Sequence, residues 1–432
     1  MSEAAAPTPW LLRWQGLLAG SPAQQKRLSN LAGLVLILLM AGLPVLTRNG
    51  LAVIMLACGA LWFLWSLIQA SGRIGAISGW LLLFLAVAIL ATGVSPVPSA
   101  AAKGLVKLIS YLGVYALMRQ LLLARPQWWD RLVAALLGGA LLSSVMALRQ
   151  LYGPTEELAR WADPNSVAEG TIRIYGPLGN PNLLAGYLVP ILPIALVAMI
   201  RWRGWGSRIY AATTVVLGAA STLFSYSRGG WLGMVAALGV LLLLLVLRHI
   251  RHWPPFWRRL MPLLLLVGAG VVLAVAATQV EPIRTRVASL LAGRGDSSNN
   301  FRINVWLAAL DMIRDRPWLG IGPGNAAFNS IYPLYQQPKF NALSAYSVPL
   351  EILVETGIPG LIASLGLAAA SLRSGLRALT TETELALPCL GCLAAIAGLL
   401  TQGAADTIFF RPEVQISGWF CLATLGMMRR NP

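Results

Sequence analysis

Gly230-Trp-Leu-Gly-Met-Val-Ala-Ala-Leu-Gly-Val-Leu-Leu-Leu-Leu-Leu-Val-Leu247 decides the fold: the whole stretch carries no charged side chain. As an α-helix at about 1.5 Å per residue it spans roughly 27 Å, close to the ~30 Å hydrocarbon core of a bilayer. Its apolar residues run on without alternation, so it is no strand of a membrane barrel, whose strands alternate. Arg228 stands just before it and Arg248-His-Ile-Arg-His252 just after it, so both ends are charged.

Outward from this helix, similar runs recur near 30–47, 51–70, 77–93, 103–123, 132–151, 181–200, 209–226, 260–280, 346–370, 384–402 and 409–428. The sequence therefore predicts an all-α polytopic membrane protein with about 12 transmembrane helices. Composition agrees, with 57% hydrophobic and only 11% charged residues, against about 25% charged in a soluble domain. The net charge of +17 does not indicate nucleic acid. The basic residues fall in short clusters between apolar runs, which is how membrane topology is encoded. Lys26 and Arg27, Arg125 and Arg131, Arg201 to Arg208, Arg248 to Arg259, Arg373 and Arg377, and Arg429 and Arg430 all share one side if there are twelve spans. Both termini are then cytoplasmic, in a plasma (inner) or thylakoid membrane, and the start of the chain lacks a signal-peptide cleavage pattern.

The expected organisation is nine helices in 1–280, with an outer loop at about 152–180; an extracytoplasmic loop at 281–345; and three helices in 346–432. Within the large loop, Ile303, Trp306, Leu307, Leu310 and Ile313 recur at helical spacing. That pattern predicts an amphipathic helix capped by Asn300 and stopping near Arg316-Pro317. The glycine-rich Trp318-Leu-Gly-Ile-Gly-Pro-Gly-Asn325 lacks the preceding strand of a dinucleotide fingerprint and reads as a turn closing that helix. Cys389 and Cys392 form a Cys-x-x-Cys inside an apolar run, where cysteine behaves as a small hydrophobe. With His249 and His252 confined to one basic cluster, no zinc-ligand set exists. No metal and no cofactor is expected.

Several polar residues stand out. Arg228 at membrane depth is either an interface arginine reaching for water or part of a lined, anion-binding cavity that Gly229 and Gly230 leave room for. Arg173, Arg302 and Arg314 belong to segments expected on the same face, and with Arg228 they make a candidate guanidinium clamp for a phosphate. Glu351 and Glu355, four apart at the start of a helix, suit its N-terminal dipole or pair with such an arginine. Asp406 and Arg411 are expected to form an ion pair tying the last two spans together. Asn165, Asn180 and Asn182 read as turn residues.

Together, Ser225-Tyr-Ser-Arg-Gly-Gly-Trp-Leu-Gly233, Arg302-Ile-Asn-Val-Trp-Leu-Ala308, Pro317-Trp-Leu-Gly-Ile-Gly-Pro-Gly-Asn-Ala-Ala-Phe328 and Leu350-Glu-Ile-Leu-Val-Glu-Thr-Gly-Ile-Pro-Gly360 resemble the O-antigen ligase/polymerase superfamily over about 215–365. More narrowly, Ala91-Thr-Gly-Val-Ser-Pro96, Leu178-Gly-Asn-Pro-Asn-Leu-Leu-Ala185, Asp296-Ser-Ser-Asn-Asn-Phe301, Ile331-Tyr-Pro-Leu-Tyr-Gln-Gln337 and Ala342-Leu-Ser-Ala-Tyr-Ser347 resemble its cyanobacterial IctB-type branch of bicarbonate (inorganic carbon) transporters. The resemblance implies a helical bundle whose outer loop closes over a lipid-facing cavity. In the ligases, arginines hold the pyrophosphate of an undecaprenyl-linked glycan, and motif alignment puts those roles on Arg228 and Arg302. The ligase histidine, a base toward the acceptor hydroxyl, is replaced here by Tyr346. A phenol of pKa about 10 is a poor base at neutral pH, so Tyr346, Glu351 and Glu355 stand together as candidate catalytic residues.

Three functions follow as expectations: a metal-independent membrane glycan ligase or polymerase, a bicarbonate transporter or transport helper, and a non-catalytic scaffold. The partners expected are the lipid bilayer and either a polyprenyl-phosphate-linked glycan or bicarbonate. On the binding readings, Arg228→Ala and Arg302→Ala abolish function with little loss of folded protein.

Overall fold

The computed structural model describes residues 21–69, 74–153, 173–279, 284 and 293–428. Apart from short 3-10 turns, the regular structure of those residues is α-helical. The helices are α1 (Pro22–Gly42), α2 (Arg48–Ile68), α3 (Ala76–Gly93), α4 (Pro98–Ala124), α5 (Trp128–Arg149), α6 (Pro181–Leu188), α7 (Ile191–Arg201), α8 (Trp205–Phe224), α9 (Arg228–His249), α10 (Pro255–Gln279), α11 (Ser297–Asp315), α12 (Asn325–Ile331), α13 (Val348–Arg377), α14 (Ala386–Gly403) and α15 (Pro412–Leu425). Among the described residues eight segments are long and apolar enough to cross a membrane: α2, α3, α4, α5 and its 3-10 extension, α6 with α7, α9 and its extension, α13 and α14. Helices also stand at the other four expected positions, α1, α8, α10 and α15, but they fall short of that standard. The α15 helix has only 14 residues, where a span needs about 17–25.

The α6–α7 span is the most enclosed, with 83% of the residues in its apolar stretch buried, whereas in α2 only 22% are buried and Val53, Leu56 and Phe63 turn outward. In a bilayer that outer surface meets acyl chains, so packing between helices depends on close contact rather than on exclusion of water. The α9–α14 contact illustrates this. A Cβ at Gly233 would lie 2.9 Å from the Gly398 carbonyl oxygen, and one at Gly398 would lie 2.8 Å from that of Gly233. Only glycine on both helices admits such an approach.

Of the basic clusters that the sequence assigns to one side, those at Arg125, Arg201 and Arg248 to Arg251 gather at one end of the bundle, while Arg429 and Arg430 lie outside the described residues. Arg201 pairs with Asp130 at 2.9 Å and donates to the Glu384 carbonyl at 2.7 Å. Arg125 donates to Asn30 at 3.2 Å, and Arg248 and Arg251 reach the carbonyls that follow α13. The free cysteines Cys389 and Cys392 are buried among apolar side chains, as expected.

Two local readings change. The α11 helix begins at Ser297 and is capped by Asp296, whose carboxylate accepts from the Asn299 N–H, not by Asn300. It also buries Val305, Ala308, Ala309 and Met312 and leaves Leu307 and Leu310 exposed. The small side chains allow close packing on α13, and the larger ones face outward, as an interfacial helix requires. The glycine-rich run does more than close a turn. The α13 helix breaks at Gly357, whose φ is +67°. The carbonyls of Val354 and Glu355, left without partners in their own helix, accept from Ile321 at 2.9 Å and Gly322 at 3.0 Å. Ile358 donates back to the Pro317 carbonyl at 2.9 Å. A broken helix at membrane depth is tolerated where its backbone is satisfied in this way.

Candidate functional site

The site is built on the turn that begins α9. Tyr226 takes a left-handed φ of +48°, and the Ser227 hydroxyl then caps α9 by accepting from Gly230 at 3.1 Å. Arg228 thereby becomes the first residue of the helix. Its guanidinium donates to Asp296 at 3.0 Å, with the arginine side chain 10% and the aspartate 0% exposed. Since Asp296 also caps α11, the ion pair joins the start of α9 to the start of the helix that carries Arg302.

Arg302 lies on the second turn of α11 and donates to Ser298 at 2.9 Å. Arg173 donates to the Ser225 carbonyl at 3.1 Å and to the Asn182 side chain at 2.9 Å, which ties it to the turn preceding Arg228. Asn180, expected as a turn residue, instead caps α6 by accepting from the Asn182 and Leu183 N–H groups, and the side chain of Asn182, expected in the same role, accepts from Arg173 and so belongs to the site. Asp406, between α14 and α15, is buried and faces both arginines. Burial pushes its carboxyl above the usual carboxylate range, against the pull of the Arg302 and Arg173 charges, the Thr407 N–H and Asn182. Gly229 packs against this group, a Cβ there lying 3.8 Å from that of Asp406. Tyr346, with a left-handed φ of +49°, sets its ring edge-on to Phe301 at 5.3 Å. Burial raises its phenol, the Asp406 charge raises it further, and Arg302 opposes them, so Tyr346 is a proton donor at neutral pH and not a base.

Four buried polar atoms in this cluster find no hydrogen-bond partner among the described residues: Asp296 Oδ2, Arg302 Nε, Gln402 Oε1 and Asp406 Oδ2. Buried polar atoms are normally paired, and each orphan costs on the order of 1–3 kcal/mol. They lie beside the guanidinium groups of Arg173, Arg228 and Arg302, an arrangement with hydrogen-bonding capacity to spare for a polar guest.

The other expected site residues lie elsewhere. Glu351 and Glu355 face Lys107 of α4, not the arginines; the Lys107 ammonium donates to the Phe410 carbonyl, and the Gly324 N–H donates to the Glu355 carboxylate. The ion pair expected between Asp406 and Arg411 is not formed. Arg411 closes a two-point pair with Glu413 at 2.8 and 3.2 Å, because that carboxylate on the first turn of α15 is nearer. Arg314 pairs with Asp311 one turn away, both well exposed, so it takes no part in the cluster. Sequence reasoning missed Asp296, Asn182 and Gln402, and placed Asp406 with the wrong partner. Asn165 lies outside the described residues. Among the described residues no group of histidine, cysteine or acidic side chains could hold a metal.

The family model described as O-antigen ligase matches residues 213–365. That stretch holds Arg228, Asp296, Arg302, Tyr346, Glu351 and Glu355, while Arg173, Asn182, Gln402 and Asp406 lie outside it. No curated protein matches the chain.

Proposed function

We propose, with the O-antigen ligase match as premise, that this membrane protein binds the phosphate of a lipid-linked glycan between Arg228, Arg302 and Arg173 and transfers the glycan to a hydroxyl acceptor. The observation that carries this reading is the convergence of Arg228 and Arg302 from separate helices, through Asp296, onto a cluster with four unpartnered buried polar atoms. Guanidinium groups bind phosphate oxygens in two-point fashion and stay charged in a dry site.

In the proposed reaction the acceptor oxygen bonds to the anomeric carbon of the glycan as the bond from that carbon to the phosphate oxygen breaks. The arginines stabilise the charge gathering on the departing lipid phosphate. The hydroxyl proton goes to a carboxylate, and Asp406 suits that role better than Glu351 or Glu355, which are engaged with Lys107. Tyr346, beside Asp406 and Arg302, donates a hydrogen bond instead of accepting the proton. The cluster then faces the extracytoplasmic side of a bacterial inner membrane, with the basic loops cytoplasmic.

A second reading, passage of a small anion such as bicarbonate as in the IctB-type branch, is favoured by the breaks in α13 at Gly357 and between α6 and α7. Broken helices near mid-membrane are how many carriers hold ions. The two readings part in proteoliposomes. Transfer of label from a polyprenyl-pyrophosphate glycan to an acceptor, lost in Arg302→Ala, supports the first. Uptake of labelled bicarbonate above that of protein-free vesicles, with no transfer, overturns it in favour of the second.

A further inference from the structure

About 30 Å along α9 from Arg228, by the helical rise from Arg228 to Arg248, an open cleft of about 310 Å3 is lined by Leu245, Arg248, His249, Arg251, His252 and Glu382. Nothing in the proposed reaction uses it. Arg248 donates from one guanidinium nitrogen to the carbonyls of Ala378 at 2.5 Å and Thr381 at 3.0 Å, in the turn that follows α13. Its Nε and second terminal nitrogen have no partner among the described residues. Arg251 donates to the Leu379 carbonyl at 3.1 Å, to Glu382, and through Nε to His252 Nε2 at 2.8 Å. Two guanidinium groups thus face one carboxylate, and Glu382 is a surface side chain, 74% exposed, that can swing away.

Around the cleft the chain turns outward Trp253, Phe256 and Trp257, followed by Arg258 and Arg259. Tryptophan beside arginine marks the membrane–water boundary. Leu245 forms an apolar wall, and Leu242, Leu263 and Leu264 are exposed along α9 and α10 beyond it. Charge at headgroup height with an apolar track leading away matches a phospholipid and not a soluble phosphate.

We propose that this cleft binds the phosphate of an anionic membrane phospholipid, with Arg248 and Arg251 as its ligands and Glu382 as the side chain it displaces. Because both arginines also hold the loop after α13, the lipid would clamp the α9–α10 hairpin to that helix. The site is independent of the glycan site and stands or falls without it.

The test uses the purified full chain, stripped of lipid in detergent and titrated with dioleoyl-phosphatidylglycerol, dioleoyl-phosphatidylcholine or inorganic phosphate, with retained lipid counted by native mass spectrometry. We expect phosphatidylglycerol to be retained at about one tenth the concentration of phosphatidylcholine, and that preference to vanish in Arg248→Gln/Arg251→Gln while persisting in Arg302→Ala. Glu382→Gln removes the competing carboxylate and should strengthen retention about fivefold, the worth of one charge at a membrane surface. If the double variant does not fold, Glu382→Gln decides alone: unchanged or weaker retention overturns the proposal. Equal retention of the two lipids, a wild-type preference in the double variant, or full displacement of the lipid by equimolar inorganic phosphate also overturns it.

Discussion

Arg228 and Asp296, 68 positions apart, form an ion pair in which the carboxylate is fully buried and the guanidinium nearly so. Arg228→Ala would leave that carboxylate without its charge partner, at a cost of about 3–5 kcal/mol. The variant is therefore expected to lose folded protein as well as function, which corrects the sequence-based expectation of a clean binding mutant. Arg228→Met/Asp296→Asn should recover most of the thermal stability while binding of the lipid-linked glycan stays at least tenfold weaker. Equal melting temperatures for the single variant and the wild type would remove the argument.

Lys107 holds the second charged cluster, facing Glu351, Glu355 and Glu413. Lys107→Met leaves those carboxylates to Arg411 alone and should lower the yield of folded protein severalfold. Glu351→Gln/Glu355→Gln in the same background should restore it, since neutral amides need no counter-charge. In an otherwise native chain, Glu351→Gln should keep more than a third of transfer activity; a hundredfold loss would return the proton acceptor to Glu351.

Gly357 combines a φ of +67° with a Cβ position 2.2 Å from the Trp318 carbonyl oxygen. With ψ at −164° this is backbone that only glycine adopts readily, so Gly357→Ala meets strain of about 1–3 kcal/mol and a backbone clash together. Its unfolding temperature should drop by several degrees. Gly239→Ala in α9, where a Cβ would meet nothing within 4 Å, should be neutral or slightly stabilising by lowering unfolded-state entropy. A similar response from both positions would show that the break at Gly357 is not required.

Much of this architecture is legible because apolar runs and arginine clusters are local signals. Gly230 to Leu247 announces a membrane helix by itself, and the basic loops at Arg125, Arg201 and Arg248 to Arg251 meet at one end as their spacing demands. Asp296 was not legible as a site residue. In Gly-Arg-Gly-Asp-Ser-Ser it looks like a solvated turn, and only the tertiary fold brings Arg228 to it. Asp406 misled for a related reason. Its spacing from Arg411 allows a pair, but Glu413 offers Arg411 a nearer carboxylate, which leaves Asp406 to Arg302 and Arg173. The face of α11 was misread because spacing identifies the large apolar side chains, while close packing on α13 selects the small ones.

Asp406 gives the proposal its pH dependence. Burial sets its carboxyl above the usual range in the folded protein, so the fold holds that proton more tightly than the unfolded chain does. The stability from this group is full below the ordinary carboxylate pKa of about 4 and is lost as pH rises through the raised value. Asp406→Asn, which mimics the neutral form, should then be more stable than the wild type at pH 8, with the difference shrinking toward pH 4. Transfer should run the other way, because only the ionised carboxylate accepts the hydroxyl proton. Wild-type turnover should fall as pH drops through the raised value, whereas Asp406→Asn should be at least a hundredfold slower and flat across that limb, with glycan binding within threefold of wild type. Unfolding midpoints and single-turnover rates measured together from pH 5 to pH 8 test both halves. A wild-type rate profile in the variant would rule out Asp406 as the proton acceptor even if the stability difference holds.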